Sequence, residues 1–91
     1  MIDVASFNMG ADAIVAMLRE GQDEMACFEC GNLLQRLMPL MANLSAELQS
    51  SLLHLAKQLL QCQERHDWAG LNDYLEFELP ALLDEIDSAL R

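Results

Sequence analysis

Ninety-one residues suffice for one domain, near the lower limit at which a chain buries an adequate core alone, and small helical chains often complete that core by dimerising. Eighteen leucines and six methionines stand against three Ile, two Val and no Thr, so a β-sheet has almost nothing to be built from. Fifteen acids against five bases give a net charge of −10, which argues against a phosphate backbone or an anionic membrane as partner. The charge serves solubility or, more specifically, a docking surface for a basic partner.

Val4, Phe7, Ala11, Ile14 and Leu18 step by three and four, the period of a helix that buries one stripe. This first helix is expected to start after Asp3 or Ser6 and to run to about Glu20. Gly21 follows where a C-cap needs positive φ. Asp23 then offers an N-cap for a second helix, from about Glu24 to Asn43. Ala26, Cys27, Cys30, Leu33, Leu34, Leu37, Met38, Leu40, Met41 and Leu44 sweep a wide arc, which predicts that this helix is the most buried of the set. Pro39 predicts a kink or an early end, because proline removes a helical hydrogen bond.

Ser45 is the natural cap of a third helix reaching about Arg65, with the seam Leu48, Leu52, Leu55, Leu59, Cys62 and His66. Asp67 caps a fourth, from Trp68 to about Ala89, whose stripe is Trp68, Leu71, Leu75, Leu79, Leu82, Leu83, Ile86 and Leu90. A second proline, Pro80, lies inside it. Short connections favour antiparallel neighbours, so residues 1–91 read as one all-α domain, an up-down-up-down four-helix bundle. A three-helix bundle with a loose N-terminal helix is the alternative, since Asn8, Gly10 and nearby acids weaken helix one.

Cys27 and Cys30 form a C-x-x-C, and Cys62 with His66 a C-x3-H. In a hairpin turning near Leu44 and Ser45, Cys27 would face Cys62 and Asp23 would face His66. Three thiolates and an imidazole are a known tetrahedral zinc set, which makes a metal-binding or redox protein the competing reading. Against it, C-x-x-C ligands usually sit on a turn, and free cysteine packs well as a small core residue. The expectation is therefore reduced, mostly buried cysteines with no metal and no cofactor. His54 reads as a surface residue, and His66 as a helix-end residue.

Helix four carries Asp73, Glu76, Glu78, Asp84, Glu85 and Asp87. On a regular wheel all but Glu78 face solvent; Glu78 lies at the core edge, where Arg19, Arg36 or another base of the bundle would pair with it. No nucleophile–base pair or phosphate loop accompanies these acids, so no enzyme is expected. Tyr74, Phe77 and Ala81 form a second apolar strip on helix four, with Asp73 and Glu76 as its rim. Leu53 and Leu60 do the same on helix three. Strips beyond one buried stripe per helix widen the core or form an interface.

The stretch from Asp67 to Leu83, with Trp68, Leu71, Asp73 and the run Tyr74-Leu75-Glu76-Phe77-Glu78-Leu79-Pro80, resembles a signature of short helical bacterial proteins of uncharacterised function. That resemblance implies a bacterial helical domain and no activity at these positions. No charged n-region followed by an apolar h-region opens the chain, and no apolar run approaches membrane-spanning length. The reading is a cytoplasmic, non-enzymatic interaction module that binds another protein or forms a homodimer, with no nucleic acid or membrane partner. Tyr74, Phe77, Ala81, Asp73 and Glu76 are its candidate interface.

Overall fold

In the computed structural model, which describes residues 2–90, three of the four helices begin at a side chain that accepts a hydrogen bond from an otherwise orphaned backbone N–H. Asp3 accepts from Ser6 N–H at 3.0 Å and opens α1, Val4–Arg19. Ser45 accepts from Leu48 N–H at 3.3 Å and opens α3, Ala46–Glu64. Asp67 accepts from Gly70 N–H at 3.0 Å and opens α4, residues 68–90. Gly70 permits that approach, because a Cβ there would collide with the Asp67 carboxylate. The second helix, α2 (Asp23–Leu37), differs from expectation. Its cap position is Gln22, without a side-chain bond, and Asp23 lies inside the first turn, where with Glu24 it faces the positive end of the helix dipole.

The two tight connections end their helices in the same way. After α1, Gly21 N–H bonds the Leu18 carbonyl and Gln22 N–H bonds that of Met17, with Gly21 at φ +78°. After α3, His66 N–H bonds the Gln63 carbonyl and Asp67 N–H bonds that of Cys62, with His66 at φ +54°. Both are Schellman ends, and a left-handed residue closes each. Pro39 has the predicted effect. The α-helical part of the second rod stops at Leu37 and continues as a 3-10 segment, Met38–Asn43.

The described chain is all-α and forms a four-helix bundle. Gly10 lies beside Leu33 and Arg36, Ile2 meets Asp87, Arg19 meets Glu76, and Gln58 meets Tyr74. Low numbers therefore face high numbers in every pair, so α1–α2, α1–α4 and α3–α4 are antiparallel and the rods run up, down, up, down. The fourth seam is looser: α1 packs on α2 and α4, and α3 on α4, but α2 and α3 approach each other only sparsely.

One core unites the rods. Leu37, Leu52, Leu55, Leu59, Leu75, Leu79 and Leu82 are buried in it as predicted, while Leu34 is half-buried. α2 is not the most buried rod. Cys27, Leu34, Met38, Leu40 and Met41 are all only half-buried because the seam towards α3 stays open, and the C-terminal half of α4 buries more.

α4 is not a regular helix. It starts as α-helix (Trp68–Asp73), passes through a π-helical turn (Tyr74–Glu78) and resumes as α-helix (Leu79–Leu90). Leu71, Leu75, Leu79 and Leu83 are all essentially inaccessible, although they recur every four residues. On a regular α-helix each such step overshoots a turn by about 40°, so three steps would swing the stripe by about 120°. The extra residue held in the π turn reduces that drift to about 20°.

The same rotation overturns two expectations. Glu78, placed at the core edge by the regular wheel, is exposed. Asp87, placed in solvent, is only 8 % exposed and accepts the Ile2 N–H at 3.4 Å.

Candidate functional site

The face between α3 and α4 carries two adjoining depressions. The first, about 590 Å³, lies between the rods, with Ser50, Ser51, His54 and Leu55 on its α3 side and Tyr74, Glu78, Ala81, Leu82 and Glu85 on its α4 side. The second, about 490 Å³, is lined by α4 and its cap alone: Asp67, Gly70, Asp73, Tyr74, Phe77 and Glu78. Tyr74 and Glu78 line both, so the two form one trough along α4. The Tyr74 hydroxyl donates to Gln58 Oε1 at 3.4 Å, which holds the ring against α3 and makes it the divide between the two halves. Phe77 stands on the rim, 66 % exposed.

Four of the five candidate interface residues therefore share this face. Asp73, Tyr74 and Phe77 meet in the second depression, and Tyr74 and Ala81 in the first. Glu76 does not join them. It pairs with Arg19 of α1 at 3.0 Å, on the other side of α4. The Arg19 partner is thus Glu76, and Glu78, which was expected to fill that role, stands at the trough instead. Arg36 is also engaged elsewhere: it donates to Ser6 Oγ at 2.8 Å and lies 4.7 Å over the Phe7 ring. Among the described residues no Lys or Arg lines either depression; Asp67, Asp73, Glu78 and Glu85 do, with His54 as the one basic side chain in the first. Tyr74, Glu76, Phe77 and Glu78 all belong to the π turn, whose signal in the sequence was the strict four-residue leucine spacing ahead of Pro80.

The second apolar strip is equally present. Leu53 and Leu60 lie two turns apart on the side of α3 turned away from α4, 53 % and 50 % exposed. Phe28, Met25 and Met9 are exposed on α2 and α1.

The alternative metal or redox set is not assembled. Among the described residues no group of three or more His, Cys, Asp or Glu side chains is placed to hold a metal ion. Cys27 is half-buried and Cys30 and Cys62 are buried, all as free thiols. His66 is exposed and stacks on Trp68, ring centroids 5.4 Å apart and 14° from parallel. Its left-handed backbone closes α3 and turns the chain into Asp67. The thiols are also tuned away from reactivity. Burial pushes Cys30 up to about 11; the nearby Cys27 adds to the rise and the Gln63 amide opposes it. Burial, then the charge of Asp23, raises Cys27. Burial and Asp67 raise Cys62 against the opposing Arg65.

Compared with known protein families, with curated proteins and with solved structures, the chain finds no match. Among the described residues no helix is long and apolar enough to cross a membrane.

Proposed function

We propose that this chain is a non-enzymatic protein-interaction module of the cytoplasm, a small acidic helical bundle that binds another protein, or a second copy of itself, through its helix faces. The observation that carries the reading is Phe77. A large aromatic is held 66 % exposed on the rim of a trough whose apolar lining includes Leu55, Tyr74 and Leu82, in a chain whose leucine core lies elsewhere. Exposed aromatics beside apolar depressions are the usual anchors of protein association. Three free thiols held as neutral, packed groups fit a reducing compartment.

A photoreactive phenylalanine analogue at position 77, with one at position 28 as an equally exposed control, tests this in the native host. Crosslinks to a defined protein, or to a second copy, are expected from position 77 and not from position 28. Position-independent labelling, together with a clean monomer by light scattering at high concentration, would remove the proposal.

A further inference from the structure

The trough allows its occupant to be named by chemistry, on the premise that this face is a protein-binding site. We propose that the α3–α4 face receives a cationic amphipathic helix of a partner protein. The trough follows α4 from Asp67 to Glu85. At 1.5 Å per residue that is roughly 27 Å, the length of a helix of about five turns. Leu55, Tyr74, Ala81 and Leu82 form an apolar strip along it, beside Ser50, Ser51 and His54 of α3, and Phe77 stands at the Asp67 end. An amphipathic helix would lay one apolar stripe on that strip, with anchors three and four residues apart.

The rim decides the sign of the partner. Asp67, Asp73, Glu78 and Glu85 stand along the trough; among the described residues no Lys or Arg lines it, and a single imidazole, His54, faces the four carboxylates. Arg19 is committed to Glu76, and Arg36 to Ser6 and Phe7. A second copy of the same face would set four carboxylates against four, in chains that each carry −10. Juxtaposed like charges oppose association, so this face disfavours self-pairing, while lysines or arginines flanking an apolar stripe would meet the acids and be steered to them. The copy-to-copy contact, if any, falls to the less charged Leu53–Leu60 strip.

The test is an anisotropy titration with labelled eighteen-residue amphipathic helical peptides: one Leu/Lys, one Leu/Gln and one Leu/Glu. The Leu/Lys peptide should bind and weaken with added salt, and the Leu/Glu peptide should not bind. Asp73→Lys with Glu78→Lys should weaken Leu/Lys binding by roughly tenfold or more. The charge-matched pair Glu24→Lys with Glu29→Lys on α2 should change it by less than about twofold. Asp73, Glu78 and Glu24 are exposed and Glu29 is half-buried. Circular dichroism melts check that each variant folds.

Equal losses from the two pairs would mean attraction by bulk charge and overturn the site. Binding of Leu/Gln but not Leu/Lys, abolished by Phe77→Ser, would overturn the cationic partner and leave the interaction module standing. No binding by any peptide, with no position-specific crosslink from residue 77, would overturn both.

Discussion

Leu79 donates its backbone N–H to the carbonyl of Tyr74, five residues back, and the next residue is Pro80. Two features of the sequence converge on that bond. Pro80 has no N–H to give Glu76, and in a regular helix its ring would press on that carbonyl; a wider turn relieves both problems. The leucines at spacing four need the same extra residue to stay in line.

Removing that residue should therefore be tolerated. Deleting Phe77 together with Pro80→Ala leaves Leu71, Leu75, Leu79, Leu83 and Ile86 on one α-helical face without a π turn. The expected outcome is a cooperative thermal melt within about 1–2 kcal/mol of the parent. Deleting Asp84 instead rotates Ile86 and Leu90 out of register by about 100° and should cost clearly more. If the two deletions prove equally damaging, the stripe is not what the π turn preserves.

His66 closes α3 in a conformation that suits glycine, as Gly21 does after α1. Its cost is offset in part by the stack on Trp68. His66→Gly should stabilise the protein by about 0.5–1 kcal/mol, and Gly21→Ala should destabilise it by about 1 kcal/mol. Denaturant midpoints measured at constant slope decide both. A loss on His66→Gly would show that the ring stack outweighs the backbone strain.

Cys30 is the most shielded thiol, its ionisation pushed from 9.0 to about 11. A raised acid means that the folded state holds its proton longer than the unfolded state. The associated stability is whole below pH 9, declines between about 9 and 11, and is lost above. Unfolding titrations should show this decline, and Cys30→Ala should remove it. At neutral pH, Cys27 should be alkylated first, with Cys62 and Cys30 following only on unfolding. Rapid labelling of Cys30 in the folded protein would contradict the packing described here.

The sequence carried the helices because their signals are local. The capping chemistry of Asp3, Ser45 and Asp67, the left-handed site at Gly21 and the stop at Pro39 each depend on a few neighbouring residues. The candidate interface was legible in outline for the same reason: Tyr74, Phe77 and Ala81 form a strip of fixed spacing. What failed was phase. A wheel assumes 3.6 residues per turn throughout, so one π turn misassigned Glu76 and Glu78 within it and Asp87 beyond it. The open α2–α3 seam was illegible for a different reason. Which rods pack closely is settled by the whole core, and the expected facing of Cys27 and Cys62 presumed a seam that the bundle does not close.

Phe77 and Leu59 separate surface from core most directly. Leu59 is fully buried, and truncation to Ala removes transfer energy and leaves a cavity, at a cost of about 2–5 kcal/mol. Leu55→Ala should fall at the lower end of that range, because Leu55 already borders the trough and its neighbours have room to relax. Phe77→Ser removes a larger side chain but takes little from the core, so stability should move by no more than about 0.5 kcal/mol. Its effect belongs to association. Binding through the α3–α4 face, read by crosslinking or by peptide titration, should drop by roughly tenfold or more, the loss expected of a rim aromatic anchor. Phe77→Glu serves as a harsher version, adding charge to a rim already acidic. A Phe77→Ser protein that melts several degrees lower while binding unchanged would place Phe77 in the core, and the interface would lose its anchor.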